Sequence, residues 1–380
     1  MNRLKAENIN MNQPIKGKNL RKLRILVVPL DWGLGHATRC IPIIRQLLRA
    51  GCEPILAAEG PQEVILSTEF PGLTILPLSG YRVKYSRSRW TMAWSMIIQS
   101  GKILRAIRHE RKWLEKVVTE NSIDAIISDN RFGLSHTTAP TVFITHQLKI
   151  RTPFGGWSER VLQKRNYQFI NRFTECWIPD FEGDYNLAGE LSHPEKMPRI
   201  PVKYIGPLSR LEGYGDNAKN GLLILLSGPE PQRSILEEKL IKEIAHYDGR
   251  ATIVRGLPGE KRLIPSTNEI RFFNHLPAIE LQKEMSSASL VICRSGYSTI
   301  MDLVALRKKS VVVPTPGQTE QEYLATHLEK TGVAPFLAQK NFSILKAIEL
   351  SKEYQYKVSS VIGGEDLEKT ILRFIERTGI

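Results

Sequence analysis

Short apolar runs recur along the chain, each followed by a glycine-rich or polar turn and then by a stretch with helical spacing. In the first half they are residues 24–30 (RILVVPL), 53–58, 73–78, 124–128 (DAIIS), 141–145 (TVFIT), 175–179 (ECWIP) and 203–205 (KYI). In the second half they are 222–226 (LLILL), 251–255 (ATIVR), 270–273 (IRFF), 290–293 (LVIC) and 310–313 (SVVV). Runs without polar alternation suit strands buried on both faces, as in parallel sheets covered by helices. Strands alternating with helical stretches such as 37–50 and 62–69 predict an α/β protein. A chain of 380 residues is long for one domain and comfortable for two. Residues 206–221 (GPLSRLEGYGDNAKNG) hold Gly, Asn and Asp without apolar periodicity and make the best linker. The expected organisation is a disordered basic leader (1–22), a first domain (23–205), that linker, a second domain (222–362) and a C-terminal amphipathic helix (363–380). In that last helix Leu367, Ile371, Phe374 and Ile375 share one stripe.

The densest stretch is 286–325 (SSASLVICRSGYSTIMDLVALRKKSVVVPTPGQTEQEYLA). It reads as strand, turn, helix, strand, polar loop, helix. Arg294, Ser295 and Gly296 break the first strand, and Ile300, Leu303 and Val304 then mark one face of a helix. Ser295 is the expected N-cap, with Ser298 and Thr299 in the first turn. A helix start with free N–H groups and a positive dipole end suits a phosphate. Asp302, four residues after Ser298 and three after Thr299, shares their face and could accept hydrogen bonds from ribose hydroxyls. Read without a precedent, the same residues also fit an ordinary βαβ unit with a capped helix.

The succession Cys293-Arg294-Ser295-Gly296, Ser298-Thr299, Asp302, Pro314-x-Pro316, Gln318, Glu320-Gln321 and Ala325 resembles the donor-nucleotide motif of family 28 glycosyltransferases, of the MurG type. The resemblance implies a GT-B fold, in which two doubly wound Rossmann-like domains face each other across a cleft. It also implies a UDP-sugar donor, inversion at the anomeric carbon and no bound metal or other required cofactor. Three positions depart from the pattern: Asp302 stands for the usual Glu, Tyr297 for a small residue and Leu324 for Asn. Under this resemblance Ser295, Gly296, Ser298 and Thr299 form the phosphate site, assisted by Arg233 or Arg294. Asp302 takes the ribose, and Gln318, Glu320 and Gln321 meet the sugar. The loop holding Gly228 and Arg233, and the segment Asn274-His275-Leu276, take the places of a phosphate-side turn and of backbone contacts to the base. GT-B chains often end in helices that cross back to the first domain, which is expected for 363–380.

In the first domain, Gly33-Leu34-Gly35-His36 follows the first strand and resembles the N-terminal turn of GT-B enzymes. A helix start lowers an imidazole's pKa and favours a neutral general base, so His36 is the candidate base. The plainer alternative is a packing or hydrogen-bonding histidine. Asp129 and His146 end the strands at 124–128 and 141–145, on the sheet edge that also carries Gly33 and Gly35. By analogy with other GT-B enzymes Asp129 could orient His36; a loop hydrogen bond explains it equally well. His146, Gly33 and Gly35 are assigned to the acceptor side.

Charge adds a partner class. The formal net charge is +14, which suggests an anionic partner. Basic residues concentrate in 80–116 (Arg82, Lys84, Arg87, Arg89, Lys102, Arg105, Arg108, Arg111, Lys112, Lys116) among Tyr81, Tyr85, Trp90, Trp94 and Trp113. That composition suits an anionic membrane or a lipid-linked or polyanionic acceptor, and would also describe a solvated helix. The four cysteines sit singly, so no zinc site or disulfide framework is indicated. No apolar h-region in the leader and no spanning run are found, against a signal peptide and a spanning helix. The single cysteines suit a cytoplasmic protein, and the lack of Asp-x-Asp fits the metal independence that the resemblance implies. The same resemblance implies a peripheral place at the inner face of the membrane. The expected function is hexosyl transfer from a UDP-sugar to a hydroxyl of an anionic or lipid-linked acceptor. Two alternatives stay open. A UDP-sugar 2-epimerase would share the layout but need acidic residues at the sugar's C2 and no acceptor groove. A non-enzymatic nucleic-acid-binding protein would follow from charge alone, and the nucleotide motif argues against it.

Overall fold

The computed structural model describes residues 21–81, 89–152, 154–211, 221–357 and 367–378, without the side chains of 89–100. Most of the expected leader, residues 212–220 of the linker, much of the basic-aromatic segment and residues 358–366 therefore lie outside the described residues.

Twelve strands form two parallel sheets. The first holds β1 (Arg24–Pro29), β2 (Glu53–Ala58), β3 (Ile75–Pro77), β4 (Ala125–Asp129), β5 (Thr141–Ile144), β6 (Glu175–Ile178) and β7 (Val202–Tyr204), in the order β3-β2-β1-β4-β5-β6-β7. The second holds β8 (Leu222–Leu225), β9 (Ala251–Val254), β10 (Ile270–Phe273), β11 (Leu290–Cys293) and β12 (Ser310–Val312), in the order β10-β9-β8-β11-β12. The central strands are buried along their length, as two-sided coverage by helices requires: β4, β5, β6, β9 and β11 have no exposed residue. The run at 73–78 shortens to three residues in β3, an edge strand.

The helices are α1 (Leu34–Arg49), α2 (Pro61–Glu69), α3 (Arg89–Glu120), α4 (Gly156–Ile170), α5 (Gln232–Ile244), α6 (Ala278–Ser287), α7 (Tyr297–Ala305), α8 (Thr319–Thr331), α9 (Ile344–Glu353) and α10 (Leu367–Arg377). Among the described residues no helix is long and apolar enough to cross a membrane.

The strand order turns back on itself at β1/β4 in one sheet and at β8/β11 in the other. At such switch points the loops leave in opposite directions and open a crevice at the strand C-termini. In the first crevice Pro29 of β1 is in register with Asp129 of β4, which sets the β1–α1 turn beside the Asp129 carboxylate. In the second, Leu225 of β8 is in register with Cys293 of β11, which sets the Gly228 loop beside Arg294–Gly296.

One apolar cluster joins the first sheet to helices of the second half. Ile41, Ile44 and Leu47 of α1 belong to the same core as Ile300, Met301 and Val304 of α7, Leu324 and Leu328 of α8, and Ile371 and Phe374 of α10. The stripe read on the C-terminal helix thus packs on the first sheet's helix and strand. Phe374 meets Trp177 of β6 edge to face at 5.6 Å, and Arg377 lies 3.4 Å from Glu175. Phe374→Ala should destabilise the protein by about 3–5 kcal/mol, the usual cost of emptying a buried phenyl site. Urea unfolding checks this; a loss below about 1 kcal/mol would mean that α10 is not part of the cooperative core.

Candidate active site

The turn after β1 brings α1 in at a sharp angle. Gly33, the N-cap of α1, has φ +85°, a conformation that glycine adopts at little cost. His36 therefore lies in the first turn of α1 and faces the end of β4. Its Nδ1 is 3.0 Å from Asp129 Oδ2. Arg39, one turn further along α1, places Nε 2.9 Å from both Asp129 oxygens, and its Nη2 also donates to Oδ1. The Cys40 thiol donates weakly to Oδ2 at 3.9 Å.

Asp129 has no exposed surface and Arg39 is 2% exposed. Burial pushes the Asp129 carboxyl up, but Arg39 and then His36 outweigh it and hold it below the usual carboxylate range. His36 moves the other way from a salt-bridged histidine: burial, then the Arg39 charge, lower it below the ordinary imidazole value against the opposing pull of Asp129. The arrangement that results is a permanent Arg39–Asp129 ion pair and a neutral His36. With Nδ1–H donated to Asp129, its Nε2 is left with the lone pair, and no partner for Nε2 is seen among the described residues.

His146, at the end of β5, continues the chain of contacts. Its Nδ1 lies 3.2 Å from Arg39 Nη1 and its Nε2 2.8 Å from Glu320 Oε1 at the start of α8. The imidazole stacks on Tyr297 of α7, with ring centres 4.1 Å apart and planes 3° from parallel. Tyr297 in turn donates its hydroxyl to Pro179 O at 2.8 Å. For Glu320, burial raises the carboxyl, while the His146 hydrogen bond and charge outweigh it and leave the group below its usual range. Expected at the sugar, Glu320 instead touches the first sheet's half.

The start of α7 lies against the start of α1. Ser298 Oγ donates to Gly35 O at 3.0 Å. A Cβ on Gly35 would come within 2.5 Å of that Oγ, so a larger residue there requires Ser298 to give way. The N-cap is Gly296, in an extended conformation without a side-chain cap, and not Ser295 as expected. Ser295 is fully buried and donates to Gln321 O at 2.8 Å, a bond to the next helix that takes its hydroxyl from the capping position. Thr299 lies in the first turn of α7, and Asp302 follows on the buried side. Asp302 Oδ1 accepts from Ser209 Oγ at 2.6 Å. Burial raises its carboxyl, with Arg210 and the Ser209 bond opposing.

Other predicted residues brace the loops. Gly228, at φ +101°, approaches Thr315 across the second crevice. Arg233 engages Glu230 at 2.6 Å and Glu237 at 3.1 Å. Arg294 donates to the carbonyls of Val313, Pro314 and Gln232, and burial lowers it to about 10. Of the two guanidinium groups expected at a diphosphate, Arg294 ties its turn to two other loops, while Arg233 is held by carboxylates of its own loop and helix. Gln321 accepts from Thr315 N at 3.0 Å and donates to Gln318 Oε1 at 2.5 Å, fixing the Pro314–Gln318 loop. His275 and Leu276 precede α6, and burial, then Arg210, lower the imidazole's pKa.

Arg39, Tyr297 as a stacking partner, Arg210 and Thr315 escaped the sequence reading. For Arg39 a signal existed: an arginine three residues after His36 on an otherwise apolar helix face must find a buried counter-charge.

Residues 261–360 match the glycosyltransferase family 28 C-terminal domain. An uncharacterized glycosyltransferase of Methanosarcina acetivorans is 23% identical over 383 residues, 93% of this chain and 98% of the relative. A UDP-N-acetylglucosamine–N-acetylmuramyl-(pentapeptide) pyrophosphoryl-undecaprenol N-acetylglucosamine transferase of Listeria monocytogenes is 22% identical over 344 residues, 86% of this chain and 90% of the relative. The solved spinosyn rhamnosyltransferase SpnG superposes with a TM-score of 0.63 at 17% identity, over 93% of this chain and 100% of its own. With two parallel sheets as described and a match to the glycosyltransferase family 28 C-terminal domain in the second half, the chain is a glycosyltransferase of GT-B fold, similar to the MurG type.

Proposed function

We propose that the protein moves a hexosyl group, with inversion and without a bound metal, from a UDP-sugar to a hydroxyl of an anionic or lipid-linked acceptor. One observation carries this reading. The helix start that bears a neutral, carboxylate-oriented histidine touches the helix start that carries the donor motif, through Ser298 Oγ and Gly35 O. His36 Nε2 takes the acceptor proton as the acceptor oxygen bonds to the sugar's C1 and the C1–O bond to the diphosphate breaks. Asp129 keeps Nδ1–H directed and stabilises the imidazolium. Negative charge grows on the departing UDP, where the N–H groups at the start of α7 stabilise it. Asp302 accepts from the ribose, in exchange for or beside Ser209. The relatives' donor and lipid-linked acceptor chemistry supports the same substrate classes here.

The acceptor side agrees with a lipid carrier. On and before α4, Trp157 is 74% exposed, and Phe154, Val161 and Leu162 are exposed beside it, among Arg160, Lys164 and Arg165. An exposed aromatic-aliphatic face ringed by cations suits an anionic bilayer surface. This face also favours transfer to an external acceptor over epimerisation, which needs none.

Three outcomes follow. In a thermal-shift panel of UDP, dTDP and their sugar conjugates, UDP or one UDP-sugar should raise the melting temperature, and Asp302→Ala should weaken that shift. A panel without any response would remove the donor assignment. His36→Ala should lower sugar transfer, read as UDP release in the presence of a polyprenyl-linked acceptor, by about 10²–10⁴-fold; full turnover would remove the base assignment. Because neutral His36 is required and its pKa lies below the ordinary value, kcat/KM should fall along an acid limb whose midpoint lies below about pH 6.5, the ordinary imidazole value. An acid limb centred above pH 7 would contradict this.

A further inference from the structure

The buried contacts around His36 extend past the histidine–carboxylate pair. Asp129 Oδ2 accepts from His36, and Arg39 grips the same carboxylate with Nε 2.9 Å from each oxygen. The remaining arm of that guanidinium reaches His146 Nδ1 at 3.2 Å. A guanidinium has only donors, so His146 Nδ1 must accept and its proton must sit on Nε2. That N–H then points at Glu320 Oε1, 2.8 Å away on α8 of the other half. The five side chains therefore have one consistent proton assignment: His36 Nδ1–H to Asp129, Arg39 to Asp129, Arg39 to His146 Nδ1, and His146 Nε2–H to Glu320.

We propose that Arg39 is a positioning residue for the base: it holds Asp129 ionised and His36 neutral with the proton on Nδ1, and it ties that state through His146 to Glu320 in the donor half. This rests on His36 being the base. The groups facing His36 are Arg39 and Cys40 of α1, Asp129 of β4, His146 after β5 and, from the other half, Glu320 of α8 with Tyr297 of α7 stacked on His146. Arg39 is the one permanent cation among them. Its charge 2.9 Å from Asp129 offsets the carboxylate that would otherwise pull a proton onto His36. Its position one helical turn from His36 makes the effect independent of substrate. Glu320 is the only member of the chain from the donor half, so seating α8 against His146 completes the arrangement.

The test needs no substrate. Histidine-selective ¹⁵N labelling of the full-length protein gives the pKa and tautomer of each imidazole by NMR; His36→Asn and His146→Asn assign the two signals. In the wild type His36 should be the Nδ1–H tautomer and His146 the Nε2–H tautomer. Arg39→Gln should raise the His36 pKa by about one to two units, the usual effect of removing a charge at this range. Arg39→Lys, which keeps the charge, should leave the His36 pKa within about half a unit of the wild type. Glu320→Gln should leave His146 in the Nε2–H tautomer, because Arg39 still requires Nδ1 to accept and the glutamine Oε1 can still accept from Nε2. An unmoved His36 pKa in a folded Arg39→Gln protein, its other histidine signals unchanged, would overturn the positioning role. Should that variant not fold, the wild-type tautomers decide, since the opposite assignment at either histidine is incompatible with the chain. Failure of the base itself would show separately, as undiminished transfer by His36→Ala.

Discussion

A carboxylate without access to water is costly unless opposite charge and hydrogen bonds reach it. Asp129 has no exposed surface, and its strong partners, His36 and Arg39, both project from the first two turns of α1. The angle at which α1 leaves β1 is therefore constrained by a buried charge as well as by apolar packing. Several features follow from that. Gly33 must turn the chain sharply, β1 and β4 must be neighbours so that Pro29 and Asp129 fall in register, and α2 and β2 must lie to the other side. The switch point in strand order is what makes the pairing available.

The same helix also belongs to the joint between the halves. Its apolar face enters one core with α7, α8 and α10, while its first turn meets the first turn of α7. The proposed base on α1 and the proposed donor site on α7 thus lie on two helices packed in one core. Polar contacts add direction to this joint. The His146–Glu320 pair and the Tyr297 hydroxyl on Pro179 each cross between the halves, and both require a definite orientation that apolar packing alone would not impose.

Much of the frame was legible because it depends on local pattern. Apolar runs broken by glycine turns marked strands buried on both faces, and eleven of the twelve carry essentially the expected span; β3 is shorter because it is an edge. The Gly-x-Gly-His turn and the motif after β11 were visible as helix starts. Sequence could not resolve which side chain faces which neighbour at long range. Ser295 looked like a cap because of its place before a helical stretch, yet its hydroxyl reaches α8, 26 residues later in sequence. Arg233 and Arg294 suited a phosphate because each lies beside an expected phosphate-side turn; the fork of Arg233 is engaged by carboxylates of its own loop and helix, and that of Arg294 by carbonyls of other loops. Tyr297 looked like an intrusion in a motif that prefers a small residue, and it becomes intelligible only beside His146, which lies 151 positions earlier and stacks on it.

The contact between Gly35 and Ser298 makes two distant positions share one small volume. Either residue can grow only if the other shrinks or the helix starts part. Chains of this architecture that carry alanine or larger at the first position should therefore carry glycine or alanine at the second. The size of these two side chains, taken together, would then record how closely each relative brings its two halves into contact.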